Sequence, residues 1–135
     1  MRKGIIVGAI AGTISGIISF VGYQIYSAIG ILEPKMYTIM FLTSQVIFHI
    51  GFNAIWGAIF GIIFAMTFDR IPSKGIMKGL WIGLFYCLFS VIRPTFFVVA
   101  YGMVVWGLAF ILITSIDKFV YGFLFAIFYE RVRVK

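Results

Sequence analysis

Residues 4–30 read GIIVGAIAGTISGIISFVGYQIYSAIG, an apolar run of 27 residues without one charged side chain. A helix needs only about 20 apolar residues to cross roughly 30 Å of hydrocarbon. The whole chain of 135 residues is 63% hydrophobic and 11% charged, whereas soluble domains are about 45–50% apolar and about 25% charged. A water-soluble fold of this length could not bury so much apolar surface. We therefore expect an integral membrane protein.

Four apolar segments follow one another, and polar turn residues separate them. The turns are marked by Glu33-Pro34, by residues 69–72 and by Arg93-Pro94. We expect a single transmembrane domain, residues 1–135, with helices at about 4–30, 36–69, 75–92 and 95–130. The second and fourth segments exceed the length that a crossing needs, so one of them must tilt, protrude or break. The candidate break points are Gly51, Gly102 and Gly107.

The charges between these segments predict the orientation. One side of the expected bundle carries eight basic residues, namely Arg2, Lys3, Arg70, Lys74, Lys78, Arg131, Arg133 and Lys135. The other side carries Lys35 and Arg93. Since basic residues concentrate in cytoplasmic loops, we expect a multi-pass protein of the cytoplasmic (plasma) membrane with both termini in the cytoplasm. The net charge of +7 lies at the ends of apolar runs, so it predicts no nucleic-acid partner.

The two halves of the chain resemble each other. Residues 3–12 match residues 74–83, and residues 60–71 match residues 121–132. The fold class that follows is an all-α bundle of four transmembrane helices, built from two parallel helical-hairpin repeats, 1–72 and 73–135. The two matches have offsets of 71 and 61 residues, which predicts that the second repeat is shorter on its outer side.

Small residues recur at every fourth position and so share one face of each helix. In lipid such faces let helix backbones approach closely. The glycines that we expect in helix packing are Gly4, Gly8, Gly12, Gly16, Gly57, Gly61, Gly75, Gly79, Gly83 and Gly122.

Two ionisable residues, Asp117 and Lys118, interrupt the last apolar segment near mid-membrane. A charge at this depth costs at least about 2.5–3.5 kcal/mol, so it normally faces a bundle interior or a wet cavity. Thr114 and Tyr121 lie within one helical turn, which predicts a four-residue polar cluster. Adjacent side chains point about 100° apart, so we do not expect the two charges to satisfy each other fully. The alternatives are a buried anchor, an ion- or proton-linked site, or an interfacial pair on a kinked helix.

Further polar candidates lie in the outer third of the expected bundle, at His49, Asn53, Gln24 and Gln45. We expect them to hydrogen-bond neighbouring helices. The chain has one histidine, no P-loop, no H-E-x-x-H and no G-x-S-x-G sequence. We therefore expect no metal, no cofactor and no enzymatic activity.

The layout resembles small four-helix membrane proteins of unknown function, the YagU-like and YqhR-like bacterial families. The motifs that carry this resemblance are His49-x-x-x-Asn53-x-x-x-Gly57-x-x-x-Gly61, Gly75-x-x-x-Gly79 and Lys118-Phe119-Val120-Tyr121-Gly122. Many members carry His at the position of Lys118. Because this chain departs from them there, it argues against a paired-histidine site. The resemblance implies the fold and no particular activity.

For function, the sequence favours a structural or interaction component of the lipid bilayer, either a homo-oligomer or a small subunit beside a partner membrane protein. The stripes of small residues and the scarcity of sequence outside the apolar segments support this expectation. The alternative is a small transporter or channel that uses Asp117 and Lys118.

Overall fold

A computed structural model describes residues 1–30, 43–102 and 104–133, and every regular element in these ranges is helical. The elements are α1 (Arg2–Ala28), α2 (Thr43–Thr67) with a 3₁₀ turn at Phe68–Arg70, α3 (Gly75–Ser90), α4 (Ile92–Tyr101) and α5 (Val104–Arg133). The expected all-α class is therefore confirmed. Glu33-Pro34, Lys35 and the expected start of the second helix lie outside the described residues.

Three of the described helices are long and apolar enough to span a membrane. The apolar stretches are Arg2–Ala28, Val46–Arg70 and Gly107–Arg133. The fourth apolar helix, α3, has only 16 residues. The chain is thus a helical bundle suited to a membrane. One more crossing, in addition to these three, would have to combine α3 with α4.

The turn that the sequence places at Arg93-Pro94 is not there, so the expected boundary between helices 75–92 and 95–130 is wrong. Val91 keeps helical backbone angles between α3 and α4, and Pro94 lies in the first turn of α4, where a missing N–H is tolerated. The chain leaves α4 at Gly102, whose φ of 65° is left-handed and favours glycine. Of the three candidate break points, Gly51 and Gly107 instead lie inside helices.

The helices pack as two pairs. α1 lies along α2, α3 lies along α5, and α1 also packs against α5, which joins the pairs. The backbones of α2 and α3 stay apart, and aromatic side chains fill the space between them. Phe60 stacks on Tyr86 with 4.0 Å between ring centroids, and Phe64 packs on Tyr121 and Phe125. This aromatic layer is the centre of the hydrophobic core.

Within each pair the backbones touch through the predicted glycines. A Cβ added to Gly8 would lie 2.2 Å from the Gly57 carbonyl oxygen, and one added to Gly122 would lie 2.3 Å from the Gly79 carbonyl oxygen. Gly75 is the exception, because a Cβ there would meet nothing within 4 Å and its φ is 54°. Gly75 begins α3 and is not a packing residue.

The two pairs do not use the same register. Gly61 packs between Gly4 and Gly8, whereas Gly122 packs between Gly79 and Gly83. In the sequence alignment of the two halves, Gly79 matches Gly8 and Gly122 matches Gly61. The second pair is therefore displaced by one helical turn relative to the first.

The close contact of α1 and α2 can be tested with Gly8→Ala. The new methyl group would collide with the Gly57 backbone, so we expect a loss of about 1–3 kcal/mol in bundle stability. The measurement is unfolding of the purified protein in a titration of mixed detergent with sodium dodecyl sulfate. Gly51→Ala is the matched control, since its Cβ would meet nothing within 4 Å. Equal losses in both variants would contradict the packing.

Candidate functional site

Most of the buried polar side chains of the described residues lie where the two helix pairs meet. Four of them and the half-buried His49 form what we call the polar cluster, namely Ser19 of α1, His49 and Asn53 of α2, and Asp117 and Lys118 of α5. Lys118 precedes Glu130 by 12 residues, which is about 18 Å along α5 at 1.5 Å per residue. The polar cluster thus lies well inside the apolar zone of the bundle.

Lys118 is the centre of the polar cluster. Its Nζ lies 3.1 Å from Asp117 Oδ1 and donates a hydrogen bond to Asp117 Oδ2 at 3.2 Å. The same ammonium donates to Asn53 Oδ1 at 3.2 Å and lies 4.7 Å from the centroid of the Tyr86 ring. The two charges are therefore paired, but they do not satisfy each other fully, because the ammonium also bonds to Asn53. A flexible four-carbon side chain can fold back onto a neighbouring residue although the two Cβ atoms diverge.

His49 and Asn53 connect Lys118 to α1. The Ser19 hydroxyl and His49 Nε2 are hydrogen-bonded at 2.9 Å. Asn53 Nδ2 donates to the His49 carbonyl oxygen at 2.9 Å and lies 3.3 Å from His49 Nε2. Asn53 reaches this position because Gly16 leaves room for its side chain. A chain of polar contacts therefore runs from α1 through α2 to α5.

One carboxylate oxygen of the polar cluster lacks a hydrogen bond. Asp117 is 4% exposed, and its Oδ1 finds no hydrogen-bond donor among the described residues. The nearby Lys118 ammonium contributes charge at 3.1 Å, and Ser19 also interacts with this carboxylate. This oxygen therefore has room in its bonding for a proton, a cation or a water molecule.

The structure rearranges the predicted cluster of Thr114, Asp117, Lys118 and Tyr121. The Tyr121 hydroxyl donates to the Gly57 carbonyl oxygen at 2.7 Å, so it ties α5 to α2 separately. Thr114 is buried, but in the described part of the chain it gives no hydrogen bond to the two charges. The four residues share a helix face without forming one hydrogen-bonded group.

Of the further polar candidates from the sequence, the structure brings only some into the polar cluster. His49 and Asn53 join the polar cluster, and Gln24 does not. The buried Gln24 Oε1 has no hydrogen-bond donor in the described ranges. The side chain of Gln45 lies outside the described residues.

Two members of the site were not among the candidates from the sequence. The signal that could have found Ser19 is the polar row of Ser15, Ser19 and Tyr23 at four-residue spacing. Tyr86 carried no signal that separated it from the other aromatic residues.

A second set of contacts closes the basic end of the bundle. Arg133 pairs with Asp69 through both of its terminal nitrogens, with Nη2 at 2.6 Å from Oδ2. Lys3 Nζ donates to the Val132 carbonyl oxygen at 2.8 Å, and the Gly75 N–H donates to Glu130 Oε1 at 3.2 Å. Exposed ion pairs of this kind stabilise proteins little. Their value here is geometric, because they place both ends of the chain on one side of the bundle.

Comparison with family models, with curated proteins and with solved structures gives no match for this chain. The resemblance to YagU-like and YqhR-like proteins therefore stays a prediction from the sequence. Within residues 1–30, 43–102 and 104–133, no three His, Cys, Asp or Glu side chains come together in a way that could hold a metal ion.

The pairing of Asp117 with Lys118 predicts a strong effect of Lys118→Met. This change leaves a buried carboxylate without its cation, which typically costs about 3–5 kcal/mol. The double variant Asp117→Asn with Lys118→Met removes both charges and should recover most of the loss. Both are measured by unfolding in the detergent titration. Arg133→Gln, which breaks an exposed pair, serves as the comparison and should change stability far less. No recovery in the double variant would show that the charges do not compensate each other.

Proposed function

We propose that the protein is a multi-pass membrane protein with four crossings, in which α3 and α4 together form the third. Residues 75–101 would reach about 40 Å at 1.5 Å per residue, enough for a hydrocarbon core of about 30 Å. Lys3, Asp69, Gly75 and Arg133 all meet at one end of the bundle. An even number of crossings agrees with this meeting of the two termini. The excess of basic residues at that end favours a cytoplasmic location for it. We expect the plasma membrane as the location and the hairpin pairs as the duplicated units.

We further propose that the protein acts as a structural or interaction component of a membrane assembly and not as an enzyme. The observation that carries this role is the exposed surface of α2. Only 17% of the most apolar 18-residue stretch of this helix is buried in the chain, against 44% for the corresponding stretches of α1 and α5. Its outer face presents a continuous row of rings, Phe48, Phe52 and Trp56.

The glycine stripes support this role in a different way from the one that the sequence indicated. They are used inside the chain, where Gly8, Gly57 and Gly61 bring α1 against α2. A second copy or another membrane protein would therefore contact the aromatic face of α2. Gly51 lies on the exposed surface of the same helix, with open space around the position of its missing Cβ.

Cysteine crosslinking in native membranes tests the interaction role. In a Cys87→Ser background, Ile55→Cys places a thiol on the exposed face of α2, and Leu112→Cys places one on the exposed face of α5. We expect oxidation or a bifunctional maleimide to join Ile55→Cys to a second copy or to another protein. Leu112→Cys, the matched control, should remain uncrosslinked. Equal behaviour of the two variants would contradict the α2 interface.

The second candidate function is that of a small transporter or channel based on Asp117 and Lys118. The unsatisfied Asp117 Oδ1 favours it, because this buried oxygen lies between the two helix pairs. In many transporters, ion sites lie at the interface between repeats near the middle of the bilayer. Ionisable residues inside membrane segments commonly mark ion or proton pathways.

Proton or cation flux into reconstituted vesicles tests this candidate directly. If Asp117 lies on the pathway, Asp117→Asn should abolish flux that the unmodified protein supports. Asp69→Asn is the matched control, because it removes an acidic group from the exposed end of the bundle. Absence of flux in the unmodified protein, or equal flux in all three, would exclude the transport role.

A further inference from the structure

A lateral groove lies between α2 and α3 at the basic end of the bundle. Its volume is about 320 Å³, and its lining includes Phe64, Arg70, Ile71, Trp81, Phe85 and Leu88. The groove exists because aromatic side chains hold the backbones of α2 and α3 apart. Trp81, Phe85 and Leu88 are each about half exposed on the outer surface. The groove therefore opens toward the surrounding lipid.

The groove covers a large part of the depth of one lipid leaflet. Its lining on α3 extends from Trp81 to Leu88, seven residues further along, which is about 10 Å, and one leaflet contributes about 15 Å of hydrocarbon. A helix with its side chains is about 10–12 Å across, so a helical segment of the same length is larger than the groove volume of about 320 Å³. The dimensions fit a single acyl chain better than a helix of a partner protein.

A free cation lies at the mouth of the groove. Arg70 lines it, is exposed, and forms no ion pair with any residue that the structure describes. The neighbouring carboxylate of Asp69 is held by Arg133. Lys78 is also engaged, because its ammonium donates to the Phe68 carbonyl oxygen at 2.9 Å. Arg70 is thus left to bind an anion at the level of the lipid headgroups.

We propose that this groove binds an anionic phospholipid, with one acyl chain along Phe64, Trp81 and Phe85 and the phosphate on Arg70. Basic pockets between membrane helices on the cytoplasmic side are suited to such headgroups, and a guanidinium can bind phosphate with two parallel hydrogen bonds. The inference rests on the proposed placement of the bundle in the membrane. It does not depend on the interaction or the transport role.

Trp81 provides the reporter for the test, because it lines the groove. The protein carries three tryptophans, so Trp56→Phe with Trp106→Phe leaves Trp81 as the single fluorophore. The protein is reconstituted into phosphatidylcholine vesicles that contain a small fraction of phosphatidylglycerol with brominated acyl chains. Quenching of Trp81 is compared with that from the same fraction of brominated phosphatidylcholine. We expect phosphatidylglycerol to be preferred by about fivefold, the contribution of roughly one basic residue near a membrane surface.

Charge variants decide whether the groove causes this preference. Arg70→Gln should abolish it, and Arg131→Gln, which removes an exposed cation at the same end of the bundle, should leave it unchanged. Equal loss in both variants would reduce the effect to general surface charge and overturn the proposal. The proposal would also be overturned if phosphatidylglycerol were not preferred over phosphatidylcholine, or if soluble glycerol phosphate suppressed this preference completely. If neither brominated lipid quenches Trp81, the membrane placement itself fails, which is a distinct result.

Discussion

The direct contact between the backbones of α1 and α2 is the constraint on which the rest of the structure depends. Lipid offers no hydrophobic drive for helices to associate, so close van der Waals contact has to supply it. Gly8 and Gly57 provide that contact because neither carries a side chain. The same proximity brings Ser19 within hydrogen-bonding distance of His49 and lets the side chain of Asn53 lie over Gly16.

The polar cluster exists because the pair of α1 and α2 presents polar side chains to the charged residues of α5. Asn53 gives Lys118 an acceptor from a second helix, while Asp117 on its own helix supplies the opposite charge. A buried pair of charges is no strong source of stability, because desolvation offsets most of the attraction. Its effect is to fix how the two helix pairs meet. Among the residues that the structure describes, Asp117 Oδ1 has no hydrogen-bond donor. If an ion or a proton binds there, the polar cluster has a role beyond holding the helices together.

The sequence located the charges of the site but grouped them with the wrong neighbours. The sequence predicts Thr114 and Tyr121 as members of the cluster because residues three and four apart share a helix face. Sharing a face does not decide which group a side chain contacts. Tyr121 donates to Gly57 on another helix, and Lys118 contacts Asn53 and the ring of Tyr86. These partners are remote in sequence, so no spacing along the chain could reveal them.

What the sequence determined by itself is the helical, lipid-compatible character of the chain, the glycine faces and the basic end. All of these follow from local composition and from a repeat of about 3.6 residues. Only the tertiary structure decided that the chain reverses at Gly102 instead of Arg93-Pro94. It also decided the register of Gly122 against Gly79 and the width of the groove beside Arg70. The reason is that turn position, register and spacing depend on contacts between distant residues.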